Sequence, residues 1–176
     1  TGSECIFRDI GAFHGFNDAS TQICWTDSGG RNEYTRCNFL GMGNATAAAQ
    51  AGGRSLVIGG TTGENSFTDC QIGIDTITSS AANASLEFAG GTPRNTFRSC
   101  VFPRMTSSAT TLMVIVTGAA AMDRWQLFQH CMFVNAIKST STQMTAAISV
   151  TNASPGGLLL LQRCSSIGST QWGDTN

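Results

Sequence analysis

Seven cysteines are the residues with the most chemical potential in this chain, because a thiolate can bind a metal, attack an electrophile or form a disulfide. Five recur every 30 to 33 residues, and Cys5 and Cys24 lie outside this series. The periodic five are Cys37, Cys70, Cys100, Cys131 and Cys164. There is no C-x-x-C pair, and only His14 and His130 offer imidazole ligands, so the spacing of a zinc site is missing. The pattern favours thiols that are buried among apolar groups and not paired in disulfides, in a protein made in a reducing cytoplasm. It predicts no metal and no cofactor.

Acidic side chains are the next candidates for chemistry. Polysaccharide hydrolases typically present a close set of Asp residues, whereas this chain has no Asp-Asp pair. Its acids are scattered singly, among them Asp9, Asp27, Asp69, Asp75, Glu87 and Asp123. The only local combination of acid and base is His14 beside Asp18 in FHGFND, residues 13 to 18. A histidine in a loop is more often structural or solvated than catalytic. We therefore predict no catalytic residues and a protein that is not an enzyme.

Charge and composition limit the partners. Only 12% of the residues are charged and the net charge is −1, which gives no electrostatic basis for binding nucleic acid or an anionic membrane. No run of about 18 apolar residues is present, so no membrane partner is predicted. Polar character comes from Ser, Thr, Asn and Gly, which suits strands joined by many turns.

The periodic cysteines belong to an internal repeat. RNTFRSCVF at 94 to 102 has counterparts in RNEYTRCNF at 31 to 39, ENSFTDCQI at 64 to 72, WQLFQHCMF at 125 to 133 and LLLLQRCSS at 158 to 166. A weaker first copy, CIFRDIGAF at 5 to 13, has Ile10 in place of cysteine. Such repeats predict a solenoid. The predicted units, near 1–30, 31–54, 55–84, 85–111, 112–145 and 146–176, form one domain, and the lack of an initiator Met suggests a longer chain.

Each unit contains three short apolar segments, such as SLVIGG at 55 to 60 before ENSFTDCQI. Phe67 and Cys70 are three residues apart, so a strand of period two cannot point both inward unless the chain bends between them. The prediction is an all-β, single-stranded, right-handed parallel β-helix of about six coils with three short strands per coil, its hand taken from the usual sense of parallel crossovers. A longer, irregular third corner is expected at 40–54, 73–84, 103–111 and 134–146.

Stacked coils place equivalent side chains in files. The frame predicts one interior file of Tyr34, Phe67, Phe97, Phe128 and Leu161, and a second of Phe39, Ile72, Phe102 and Phe133. Asn32, Asn65 and Asn95 share a corner position, where asparagine tolerates the left-handed conformation and can bond neighbouring backbone. Asp69 and Arg98 are expected to share an outward corner as part of a surface charge ladder. The apolar run Leu158 to Leu161 is expected to pack on a further coil or on a second subunit.

The stretch GGRSLVIGGTTGENSFTDCQIGIDTITSSAANASLEFAGGTPRNTFRSCVF, residues 52 to 102, resembles tailed-phage capsid-associated virion proteins with a right-handed parallel β-helix, of the coat or decoration type. The resemblance implies a non-enzymatic cement role on the capsid surface, with the major capsid protein lattice as partner and synthesis in the host cytoplasm. It supplies no catalytic motif.

Two functions compete. A structural virion protein needs rigidity, a repetitive face and cohesive ends. A tailspike-like β-helix that binds or cleaves host glycans needs an acid cluster or an aromatic groove, and only Trp25, Trp125 and Trp172 are available to line one. The structural reading is preferred. Ser/Thr/Ala-rich corners, at Thr106 to Thr111 and Ser139 to Thr145, suit lateral packing of identical rods, and the expected assembly is a homo-oligomer, a trimer by preference.

Overall fold

The computed structural model describes residues 2–14, 21–42, 44–117, 123–136, 142–150 and 157–174. They form a parallel β-solenoid with three sheets. Sheet A contains β1 (Ile6–Arg8), β4 (Glu33–Thr35), β7 (Ser66–Thr68), β11 (Asn95–Arg98), β14 (Trp125–Gln129) and β17 (Leu158–Gln162). Sheet B contains β2 (Gly11–His14), β5 (Asn38–Met42), β8 (Gln71–Ile72), β12 (Val101–Thr106), β15 (Met132–Asn135) and β18 (Ser165–Ile167). Sheet C contains β3 (Ile23–Asp27), β6 (Arg54–Ile58), β10 (Ala84–Phe88), β13 (Leu112–Val116), β16 (Met144–Val150) and β19 (Ser169–Asp174).

The chain visits sheets A, B and C in turn, and each strand pairs in parallel with the equivalent strand of the next coil. This confirms the all-β class and the three strands per coil. Four coils have a neighbour on both sides, and the first and sixth form the ends of the described stack. The expected count of about six coils therefore includes two that are covered on one side only. The right-handed sense and the repeat boundaries stay predictions.

The interior files are confirmed. Tyr34, Phe67, Phe97 and Phe128 follow one another in register, with ring centroids 4.6 to 4.7 Å apart and interplanar angles of 4 to 8°. Phe7 extends the file by stacking on Tyr34 at 4.7 Å. The predicted members of the second file are all buried. Leu161 is paired with Phe128 as expected but remains 37% exposed, because no described coil covers it.

The third corner is more regular than predicted. Residues 73–84, expected to be irregular, include β9 (Ile74–Ser79), which pairs with β12. The short helix α1 (Ala45–Ala48) lies in the corner at 40–54. Strand β12 continues to Thr106 because its polar side chains find partners: the Thr106 hydroxyl donates to Ser79 O at 2.9 Å. The corner at 134–146 and the segment Ser139 to Thr145 lie partly outside the described residues.

The left-handed conformation belongs to the residue before each asparagine, so that part of the asparagine prediction was wrong. Two corner columns have positive φ: Glu4, Arg31, Glu64, Arg94 and Arg124 in the first, and Asp9, Arg36, Asp69, Ser99, His130 and Arg163 in the second. The asparagines themselves point inward and are buried.

The predicted bonding of these asparagines to neighbouring backbone is confirmed. Asn32 N–H donates to Asn65 Oδ1 at 2.9 Å, and Asn65 N–H donates to Asn95 Oδ1 at 3.0 Å. Gln126 continues the ladder by accepting from Asn95 N–H at 3.2 Å. Each amide thus satisfies a buried backbone donor of the preceding coil.

The expected pairing of Asp69 with Arg98 was also wrong. Arg98 is in register with Thr68, one position earlier than the corner that holds Asp69. Asp69 belongs to the second positive-φ column, where Asp9 and Arg36 form an ion pair at 2.7 Å. Ion pairs between coils do exist, but they join residues of the two positive-φ columns: Asp9 with Arg36 in the second, and Glu4 with Arg31 and Glu64 with Arg94 in the first.

Candidate functional site

The periodic cysteines are structural in their contacts. Cys37, Cys70, Cys100 and Cys131 are buried, Cys164 is half-buried, and all five are free thiols. Each donates towards two backbone carbonyls; the Cys100 thiol lies 3.4 Å from Phe67 O and 3.3 Å from Arg98 O. Burial raises the pKa of the Cys37 and Cys164 thiols, which keeps these groups protonated and weakly nucleophilic. Cys24, one of the two cysteines outside the series, also has a pKa raised by burial.

Two of the acidic residues, Asp27 and Glu87, serve structural contacts at separate places in the fold. The buried carboxylate of Asp27 accepts from Tyr34 Oη at 2.9 Å, from Asn32 Nδ2 at 3.0 Å and from Gly29 N–H at 2.9 Å. Burial, together with the negative charge of Asp27, raises the pKa of Tyr34. Glu87 pairs with Arg54 at 2.6 Å in a largely buried ion pair. In the described part of the chain, no group of three or more His, Cys, Asp or Glu side chains is placed to hold a metal ion.

Arg104 is a buried charged residue, a type often found at functional sites, and the sequence pattern did not predict its burial. It lies in β12, in a segment predicted to be an irregular corner, yet it is only 1% exposed. Its guanidinium donates to Ser85 Oγ at 3.1 Å and to Asn83 Oδ1. Burial, with a smaller effect of nearby Arg54, lowers its pKa to about 9. These hydrogen bonds to neutral acceptors connect β12 with β10 and with the turn before β10, so the Arg104 side chain stabilises the third corner.

The acid-base pair considered from the sequence was His14 with Asp18. Asp18 and the side chain of His14 lie outside the described residues. His130 occupies the second positive-φ column at φ 54° and is exposed. Its position is a solvated corner of the solenoid.

A shallow groove of about 220 Å³ opens at the first positive-φ column. It is lined by Arg31, Thr61, Thr62, Gly63, Glu64, Pro93 and Arg94. Its charged groups are already paired: Arg94 with Glu64 in the groove, and Arg31 with Glu4 outside it at 2.6 Å. The bond from Arg94 lowers the pKa of Glu64, so the carboxylate stays ionised and cannot act as a general acid near neutral pH.

The tryptophans do not line a common groove. Trp25 packs inward against Phe7 and Tyr34, with ring centroids 5.7 and 6.4 Å away. Trp172 contacts Phe133 edge to face at 5.6 Å. Trp125 is in register with Leu158 in sheet A, and it alternates with the buried Gln126 and Phe128, so it faces outward.

The outer face of sheet A becomes apolar in its last two coils. Four outward side chains form what we name the outer apolar surface: Trp125, Leu127, Leu158 and Leu160. Leu158 is 57% and Leu160 42% exposed. Three middle coils place Glu33, Ser66 and Thr96 in the column that begins with Ile6 and ends with Leu127 and Leu160. This change from polar to apolar residues along a single column marks a surface suited to contact with another molecule.

None of the helical residues described here forms a segment long and apolar enough to cross a membrane.

Comparisons with known proteins identify no relative. No family model, no curated protein and no solved structure matches the chain. The parallel β-solenoid is thus established by the geometry of the chain itself.

Proposed function

We propose that this protein is a non-enzymatic structural virion protein of a tailed bacteriophage, which decorates or stabilises the capsid. The observation that carries the proposal is the outer apolar surface, held on a rigid stack. The resemblance of residues 52 to 102 to capsid-associated β-helix proteins supplies the biological setting.

Rigidity follows from the packing. The inner coils combine parallel strand pairing on both sides with continuous interior files and with the buried asparagine ladder. Because each coil stabilises its neighbours, a solenoid of this kind resists local deformation. A decoration protein needs this property, since it must hold its contact points at fixed spacing on a lattice.

The partner chemistry follows from the exposed groups. Apolar side chains and a net charge of −1 fit a contact made mainly by burial of apolar area. We propose the major capsid protein lattice as the partner of this surface, with lateral self-association into a trimer through the Ser/Thr/Ala-rich corner at Thr106 to Thr111. The particle surface is the proposed location, after synthesis in the host cytoplasm.

Cryo-EM of the particle that carries this protein is the direct test. The chain is expected in icosahedral density on the shell. Density at the tail tip, together with binding of the purified chain to host glycans, would favour the tailspike-like function instead.

A binding experiment tests the proposed surface. Leu160→Lys should abolish cosedimentation of the purified chain with empty capsids, because it places a charge in the apolar contact. Ser66→Lys is the matched control, since Ser66 lies in the same outward column outside the outer apolar surface. Equal binding of both variants would refute this surface as the capsid contact.

A further inference from the structure

The charges along the sheet A side of the solenoid are unevenly distributed, although the whole chain has a net charge of −1. In coils one to three, the segments between the two positive-φ columns, at 4–9, 31–36 and 64–69, contain five acidic residues and three arginines. In coils four to six, the segments at 94–99, 124–130 and 158–163 contain four arginines, His130 and no acidic residue. The sheet A side of coils four to six is therefore cationic.

Ion pairing leaves three of these arginines with little or no neutralisation. Arg94 is paired with Glu64 of the third coil. Among the described residues, no carboxylate forms an ion pair with Arg98 or Arg163. Arg124 has only Asp123, at 3.8 Å, and the two side chains are 62% and 57% exposed. A pair this long and this exposed to solvent is weak, so its guanidinium remains available to a partner.

These three arginines, which we name the arginine rim, border the outer apolar surface on three sides. Arg124 directly precedes Trp125 at one corner of sheet A, and Arg163 follows β17 at the other corner. Arg98 lies on the outward face, one coil and two residues away from Leu127. With coils about 4.8 Å apart and a rise of about 3.3 Å per residue, this separation is about 8 Å. All three side chains are exposed.

An apolar centre inside a charged rim is the usual anatomy of a protein–protein contact, and Trp and Arg are the residues that most often dominate its binding energy. A guanidinium binds a carboxylate through two parallel hydrogen bonds, which a point charge cannot do. Duplex DNA has a dense line of phosphates and offers no counterpart to the apolar centre. A second copy of the same surface would bring the arginine rim against itself, and like charges repel. The complementary surface is therefore acidic, and it belongs to a different protein.

We propose that the outer apolar surface and the arginine rim together bind a protein segment whose apolar residues are surrounded by Asp and Glu side chains. This inference rests on the proposed function, because it assigns that chemistry to the part of the major capsid protein that this surface contacts. Burial of the apolar centre supplies affinity, whereas the rim accelerates association and selects the partner.

Charge reversal of the rim provides the test variant, Arg98→Glu/Arg124→Glu. Glutamate is compatible with position 124, because Glu4 and Glu64 occupy the same positive-φ position in other coils. The matched control is Arg8→Glu. Arg8 is exposed and lies in the same outward column as Arg98, three coils away from it.

Binding of the purified chains to empty capsids is measured by biolayer interferometry at several NaCl concentrations. At low salt, the double variant should bind about tenfold more weakly than wild type, mainly through slower association. Wild-type affinity should fall as NaCl is raised, because salt screens exposed charges. This salt dependence should disappear or reverse in the double variant. Arg8→Glu should bind like wild type.

The acidic side of the contact is tested on the capsid. A carbodiimide with glycinamide converts accessible carboxylates to neutral amides. Treated capsids that still sediment as intact shells should bind wild type as weakly as untreated capsids bind the double variant.

The outcomes separate this inference from the function on which it rests. A wild-type chain that binds no capsids would overturn the proposed function and this partner together. Strong wild-type binding that is unchanged by Arg98→Glu/Arg124→Glu would overturn the arginine rim and leave the proposed function standing. Tighter binding of wild type to phosphatidylserine vesicles or to duplex DNA than to capsids, lost in the double variant, would overturn the assignment of a protein partner.

Discussion

Replacing Phe97 with Ala should remove a large part of the stability of this fold. Phe97 is fully buried and stacks on Phe67 and on Phe128, each at 4.7 Å, with Phe88 and Phe102 at 6.1 Å. Truncating a buried phenylalanine to alanine costs about 3–5 kcal/mol through lost transfer free energy and the cavity left behind. Loss of two stacked pairs, at about 0.5–1.5 kcal/mol each, places the expected cost in the upper half of that range.

The assay is urea unfolding followed by circular dichroism, with the free energy of unfolding extrapolated to water. Met132→Ala is the control, because Met132 faces outward from sheet B and is 45% exposed. Its expected cost is about 0.5 kcal/mol, as for other surface changes. If Phe97→Ala lost no more stability than Met132→Ala, the stacked file would not be a source of stability, and the reasoning from the repeat frame would fail.

Three further predictions concern the buried polar groups and thiols. Asn65→Ala should lower the free energy of unfolding by about 1–3 kcal/mol, because it leaves the buried N–H of Asn32 without its hydrogen-bond acceptor. Asn38→Ala, at an exposed position, is its control. Equal unfolding free energies of the two variants would contradict a stabilising role of the asparagine ladder. Thiol titration with a chromogenic disulfide should find at most three accessible cysteines in the native chain, namely the half-buried ones, and seven after denaturation; seven fast thiols in the native chain would refute the burial of the series. Because burial lowers the pKa of Arg104 to about 9, the unfolded state binds more protons above that pH. The unfolding free energy of wild type minus that of Arg104→Met should therefore rise as the pH increases above about 9, and a flat difference would show that Arg104 is not desolvated.

The shared corner position of the asparagines was predicted correctly, but their expected left-handed conformation was wrong. The sequence places Asn32, Asn65 and Asn95 at one corner of each coil, and asparagine is the polar residue best suited to the left-handed region. The structure assigns that region to the preceding Arg or Glu. The reason is tertiary: the amide must point inward to accept the N–H of the preceding coil, whereas a long charged side chain at the turn extends into solvent and pairs with the next one.

The burial of Arg104 could not be predicted from the sequence pattern either. A charged residue after Pro103 reads as part of an exposed corner, and nothing in VFPRMT signals burial. Its environment is built by Asn83 and Ser85, which lie 21 and 19 residues away in the chain.

By itself, the sequence determined the parallel β-solenoid with three strands per coil, because its 30-residue repeat and the three-residue step between aromatic and cysteine permit few other foldings. It also determined which aromatic residues stack, since equal positions in equal coils must lie above one another. Only the tertiary structure decided which corner residues adopt positive φ, which charges meet, and which side chains remain exposed at the ends. Those features depend on contacts between coils and on the direction in which each side chain leaves the backbone, and neither is encoded in the spacing of the repeat.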